Sequence, residues 1–305
     1  MTLLKHDRSA KDPAYNAVQE ERTGRLVQGR PPDFMRQHVE ELYSLTQHVL
    51  DEDFAAQIKH NFHARYAEMY FAATFIERNG FKVTHPSDTG PDFFLENLNC
   101  WAEVVTATDG DKSNPNSIEK QSIGAKDTPH NKVILRLSSV FSNKSKKTKC
   151  YMATKRIKPS QPIVICIHGG GMQNERIPRF AEDGVPPIVE TLLPMQLVAR
   201  RSKIKNKVSF EHVYHNGVEK QTKCGNKLIS TSSFLKDEFA HISAVIYAYA
   251  NAADALPRNK WGVDFFTVHN PKAINPLSAG FIKCGTEYLV SCAEDSFTIE
   301  PIDHD

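Results

Sequence analysis

Two hydrophobic periods divide the chain. Over 33–49, and again over 54–79 ("FAAQIKHNFHARYAEMYFAATFIERN"), apolar positions recur three and four residues apart, which predicts two helices. The second should end at Gly80, where a left-handed cap fits. The period then shortens to two. "FKVTH" (81–85), "PDFFLE" (91–96) and "CWAEVVTA" (100–107) are short, aromatic and β-branched, with Pro/Ser/Asp/Gly and Asn-rich breaks between them, and predict a three-strand meander. A polar loop over 108–131 leads to a helix over 132–154, and "PIVICIHG" (162–169) is an unbroken apolar run expected of a strand covered on both faces. The predicted order is helix, three strands, helix, strand.

The two ends of the chain are less regular. Residues 1–32 are polar, close on "GRPPDF" and predict an irregular arm with at most a short helix. Beyond 185, a helical or loop segment through "VARRSKIKNK" precedes strand candidates at 208–214, at 227–231 and in "HISAVIYAYA", "VDFFTVHN" and "FIKCGTEYLVS". The expected organisation is an arm and helix over 1–50, a core over 51–185, and over 186–305 an extension of the sheet or a small lobe, all in one continuous α/β domain. No apolar run approaches ~18 residues and no stretch of signal-peptide length opens the chain, so a cytoplasmic protein without membrane association is expected. Six cysteines without a CxxC pair argue against a zinc knuckle or a dense disulfide framework.

Charge changes the picture only locally. The chain of 305 residues carries a formal net charge of +2, so any attraction to phosphate must come from patches. From Lys144 to Lys158 there are seven basic residues and no acidic one, and "RRSKIKNK" at 200–207 adds five. Such runs are usually solvated faces; beside an acidic site they become a footprint for nucleic acid.

Acidic residues supply the candidate chemistry. If Leu95 and Cys100 flank a four-residue hairpin loop, Asp92 lies opposite Glu103, with Cβ atoms about 4.5–5.5 Å apart. Two carboxylates so placed repel unless a cation or a proton stands between them; Mg²⁺ or Mn²⁺ suits such oxygen donors. The competing expectation is a different register with both acids solvated. Glu68 precedes Phe71, Ala72 and Phe75 at i+3, i+4 and i+7, so it sits on an apolar stripe and needs a partner, either Arg65 in an ion pair or the same cation.

This order of elements, with "PD" at 91–92 and a glutamate after ten intervening residues, resembles the PD-(D/E)xK nuclease superfamily over roughly residues 54–170. The resemblance implies a restriction-endonuclease-like mixed central sheet with a C-terminal β-rich extension. It also implies Mg²⁺-dependent (or Mn²⁺-dependent) hydrolysis of nucleic acid, DNA ahead of RNA. In that superfamily the motif continues Glu-x-Lys, the lysine orienting water and stabilising developing charge, whereas here the position is Val105, on the same face of the strand as Glu103. Some members supply the lysine from the next helix, where Arg136, Val140, Asn143, Lys144 and Lys147 fall within about 100° of one another. Arg136 stands in the apolar turn "VILRLSSVF" and is either aimed at a phosphate or the acids, or snorkels to water.

The chain is also similar to a bacterial family without assigned activity that carries "GPDF", W-x-E, an Arg-x-x-Ser helix with a lysine eight residues after the arginine, and a late "HNP-x-A-x-x-P-L". That likeness favours Lys144 over Lys147. The expected catalytic set is therefore Glu68, Asp92, Glu103, Arg136 and Lys144, with the cation held by Asp92, Glu103 and Glu68. Val105 keeps a second reading open, a non-catalytic relative that binds nucleic acid or a protein partner.

Other motifs carry less. "IHGGG" at 167–171 lacks an accompanying Gly-x-Ser-x-Gly elbow, so its glycines are expected to end the fourth strand and turn the chain, with His168 either structural or near the site. His212, His215 and His269 have no zinc spacing; His269 and Asn270 are expected to tie down a proline-rich turn. No phosphate-loop or dinucleotide fingerprint occurs.

Overall fold

The structure, a computed structural model, describes residue 3 and residues 32–86, 90–119, 129–172, 185–201, 208–294 and 296–304. The rest of the N-terminal arm and the side chains of the "RRSKIKNK" stretch lie outside the described residues.

Three helices open the fold: α1 (Pro32–Thr46), the short α2 (Phe54–Gln57) and α3 (Phe62–Glu77). The single helix expected over 54–79 is thus two. The apolar period runs on through Ile58 and Phe62, both buried, but the polar run 59–61 turns outward and Asn61 leaves helical geometry at φ −141°, ψ 59°. Asparagine favours the residue before a helix because its side chain competes for backbone hydrogen bonds. α3 is apolar almost all round, and Tyr66, Met69, Tyr70, Phe71 and Phe75 are all buried, as expected of a helix enclosed by its neighbours.

The meander follows as β1 (Val83–Thr84), β2 (Phe93–Leu95) and β3 (Cys100–Thr108), then α4 (His130–Ala153) and β4 (Ile163–Gly171). After α5 (Pro187–Leu192) come two hairpins outside the main sheet, β5 (Met195–Arg201) with β6 (Val208–Tyr214) and β7 (Gly217–Thr222) with β8 (Gly225–Ser230). The chain then returns to the sheet as β9 (Ala244–Ala248), β10 (Phe266–His269), β11 (Gly285–Cys292) and β12 (Phe297–His304). The result is a mixed α/β fold around an eight-stranded sheet, in the order β1-β2-β3-β4-β9-β10-β11-β12. β1–β2–β3 are antiparallel, β3–β4–β9 parallel, and the far half alternates.

Two cores sandwich this sheet. One, against α1 and α3, takes Ala102, Val104, Val164, Cys166 and Ile246; the other, against α4, takes Ile163, Ile165, Ile167, Val245 and Tyr247. The alternation along β4 confirms a strand covered on both faces. Its glycines end it, as expected: Gly171 is the last strand residue, and the Met172 N–H donates to the Gly169 carbonyl at 2.8 Å. They are also crowded: a Cβ on Gly171 would stand 2.7 Å from the Ala107 carbonyl oxygen, and one on Gly170 2.5 Å from the His168 ring. His168 is fully buried among the rings of Tyr66, Tyr70 and Phe71, with Nε2 2.8 Å from the Ala250 oxygen, and so belongs to the core.

Asn270 donates to the carbonyls of Phe239 and Ile242, and its side-chain oxygen accepts from Lys272 N–H, the turn-tying role its sequence context suggests. β5 was expected to be helix or loop and is a strand, because it pairs antiparallel with β6 over its whole length. β7 and β12 were not among the strand candidates either. Both are polar on their exposed positions, and β12 is an edge strand carrying Glu300, Pro301 and Asp303, the residues by which an edge avoids further pairing. Among the described residues no helix is long and apolar enough to cross a membrane.

Candidate active site

The β2–β3 hairpin sets the site. A 3₁₀ turn over Glu96–Leu98 and a left-handed Asn99 (φ 47°) close it, a conformation asparagine tolerates better than most residues. Leu95 pairs with Cys100, Phe94 with Trp101 and Phe93 with Ala102, the register expected from the sequence. Asp92 therefore lies just off the end of β2, at the level of Glu103. Its Oδ2 accepts the Val104 N–H at 2.6 Å, which fixes the carboxylate against β3.

Along β3, Ala102 and Val104 face the α3 side while Trp101 and Val105 pack on the α4 side. Glu103 shares the latter face and is fully buried beneath α4. Two lysines one helical turn apart reach back to it: Lys144 Nζ and Lys147 Nζ donate to the same Oε1, at 2.6 and 2.8 Å. Lys144 is the more enclosed, its side chain 18% exposed against 48% for Lys147. Lys147 also lies over the Tyr151 ring, 5.4 Å from its centroid. Among the described residues, Glu103 Oε2 is buried and accepts no hydrogen bond.

The electrostatics follow from this packing. Burial, and then the charge of Glu103, push Asp92 up to about 6, against the pull of Lys144, the Val104 N–H and Lys147. Burial works against the charge on Lys147, but hydrogen bonds to Glu103 and Tyr151 override it and hold its pKa above the usual lysine range. Glu68 is pushed up to about 8, first by burial and then by Asp92, with Arg65 and Lys144 opposing. Charges on α3, the hairpin and α4 thus act on one another in one region.

Glu68 has the ion pair foreseen for it, Arg65 donating to Oε2 at 2.6 Å, yet it also feels Asp92 and Lys144. Two neighbours were not foreseen: Asp51 stands 3.4 Å from Arg65, and His85 bridges Asp51 (2.9 Å, Nε2) to the Asp92 carbonyl oxygen (2.7 Å, Nδ1).

Arg136 departs from expectation. Its Nε donates to the Thr108 carbonyl at 2.7 Å, and its Nη2 stands 3.4 Å from the Thr108 hydroxyl, so the guanidinium is fixed at the far end of β3 rather than at the acids. Nor do the three acids make a ready ligand set: among the described residues no three Asp, Glu, His or Cys side chains are grouped closely enough to hold a metal ion. What the structure assembles is Asp92, Glu103, Lys144 and Lys147, two negative and two positive charges, with Glu68 beside them. Comparisons with protein-family models, with curated proteins and with solved structures find no match to this chain.

Proposed function

We propose that this protein is a divalent-cation-dependent phosphodiester hydrolase acting on nucleic acid, DNA ahead of RNA, on a restriction-endonuclease-like core. One observation carries the reading: Asp92, Glu103 and Lys144, from a hairpin and a helix well apart in sequence, meet in one place. The order α3, β1–β3, α4, β4, with an antiparallel meander and β3 parallel to β4, supports the likeness to the PD-(D/E)xK superfamily. Lys144, from the helix, stands where Val105 leaves the strand without a cation.

Asp92 and Glu103 offer a divalent ion such as Mg²⁺ or Mn²⁺ two carboxylates of the right type rather than a complete ligand set. Carboxylate oxygens are the ligands such ions prefer, and the buried, unpartnered Oε2 of Glu103 is an acceptor in need of a positive neighbour. Asp92 and Glu103 would hold the ion, its remaining positions left to water and phosphate oxygens. Bound there, a divalent cation polarises a phosphate oxygen and lowers the pKa of a water.

The chain's own residues supply the rest. Lys144, fixed and largely enclosed, sets a positive charge where negative charge gathers on a phosphate under attack, and the low-polarity surroundings strengthen its effect. The exposed flank of Lys147 adds a second cation for the incoming strand.

A second reading rests on two observations: Val105 replaces the motif lysine, and both lysines already neutralise Glu103 Oε1. They favour a relative that binds nucleic acid without cutting it. Calorimetric titration with Mn²⁺ separates the two. The hydrolase binds the ion, and Asp92→Asn abolishes that binding while the chain stays folded, as far-ultraviolet circular dichroism would show; Glu103→Gln abolishes it too, at a cost in stability that the buried charge group predicts. Absence of any carboxylate-dependent Mn²⁺ binding, with oligonucleotide binding retained, selects the non-catalytic reading.

A further inference from the structure

Where α4 packs against β7 runs a polar groove of about 200 Å³, lined by Arg136, Ser138, Ser142 and Asn143 of α4, by Asn116 of the loop before it, and by Lys220 of β7. We propose that this groove seats the sugar–phosphate backbone of the nucleic-acid strand that enters the acid–lysine site, a proposal that rests on the functional reading above.

The lining favours that occupant. It includes two cations and six Ser or Asn side chains but no carboxylate, on a chain whose net charge is only +2. Phosphate oxygens accept hydrogen bonds and carry charge, so they are recognised by Arg, Lys, Ser and Asn, the groups collected here. Ser138 Oγ is buried and, among the described residues, has no hydrogen-bond partner. Glu219, the nearest acid in sequence to Lys220, is turned to the opposite face of β7 and accepts from Asn226 at 3.0 Å.

The walls are built in advance. Arg136 is held by Thr108, and Asn116 both accepts the Gln221 N–H and donates to the Gln221 carbonyl, each at 2.8 Å, which ties the loop to the hairpin. A cationic site with fixed geometry loses little freedom when it binds.

Groove and acids also lie on one line. Arg136, Asn143 and Lys147 follow one another by seven and four residues, so they share one face of α4 and span about 16 Å along its axis. Consecutive phosphates of one strand in a duplex advance about 3.4 Å each along the helix axis, so a short run of them reaches from Lys147 to Arg136. Specificity for strand over free phosphate arises from that length.

The test uses the full chain carrying Asp92→Asn, so that binding is read without cleavage, and a short fluorescein-labelled single-stranded DNA in an anisotropy titration at several salt concentrations. Lys220→Ala should weaken binding about three- to tenfold and lower the slope of log K against log salt by about 0.7. Ser142→Asp, which sets a carboxylate in the groove, should weaken it further, and both should melt with the parent. In the chain with Asp92 restored, these variants should raise KM and leave kcat in place. Affinity and salt slope unchanged in both variants overturn the groove, even if the restored chain cleaves and the hydrolase reading stands. Groove-dependent binding by a chain that never cleaves upholds the groove and drops the hydrolase.

Discussion

Glu103 is an acid with no exposure to water, and its burial is tolerable only because two ammonium groups share one of its oxygens. Removing one member of a buried charge group leaves the others uncompensated, which typically costs about 3 kcal/mol or more. Urea denaturation should therefore show Glu103→Gln destabilised by about that amount. Lys147→Ala should lose no more than about 1 kcal/mol, because its side chain is half exposed and Lys144 remains. Equal losses in the two variants would mean that Glu103 is not held as described.

Glu68 gives a pH signature of known sign. Its folded pKa, about 8, lies above the unfolded value, so the folded state binds the proton more tightly and stability contributed in acid is lost as pH rises towards the folded value. Without divalent ions, Glu68→Gln should gain on the parent between about pH 5 and about pH 8, by at most about 1.4 kcal/mol per pH unit. A difference that does not change with pH would place Glu68 in an ordinary solvated pair with Arg65.

At the level of elements, the close approach of β3 and β4 makes the demand on glycine. A methyl on Gly171 meets the Ala107 carbonyl, a backbone atom that cannot swing aside, so Gly171→Ala should destabilise by about 1–3 kcal/mol in thermal melts, as overpacking does. Three glycines in a row announced the end of the strand, which the structure shows at Gly171, but not the crowding that requires them, because that crowding is tertiary. For the same reason the break before α3 was hidden: the apolar spacing from Phe54 through Ile58 to Phe62 is continuous, and Asn61 alone marks the change. The hairpin was legible because loop length fixes register, and register alone put Asp92 at the level of Glu103. The angle on the helix pointed to Lys144 and Lys147 together, and both reach Glu103. Arg136 misled because a helical projection gives angle and not height; eight residues separate it from Lys144, about 12 Å along the axis. His85 and Asp51 carried no pattern to read, since their roles exist only through Asp92 and Arg65.

Across the whole molecule, charge is close to balanced, and what matters is its distribution. The basic run that begins at Lys144 leaves Lys146, Lys149, Lys155, Arg156 and Lys158 exposed beyond the site, so association with nucleic acid should weaken steeply with added salt. The strands from the last third of the chain extend the meander's own sheet and back the site with a continuous core. Within this frame Lys144→Ala should lower kcat at least tenfold with little change in KM, while Lys147→Ala should act mainly on KM; the reverse assignment would make Lys147 the charge that matters at the phosphate. The most direct measurement is single-turnover cleavage of a labelled DNA oligonucleotide with Mg²⁺ or Mn²⁺, with and without EDTA, by the parent chain and by Asp92→Asn. Cleavage by the parent that EDTA stops and the substitution reduces at least a hundredfold is the predicted result; cutting that survives the loss of Asp92, or that ignores EDTA, would contradict it.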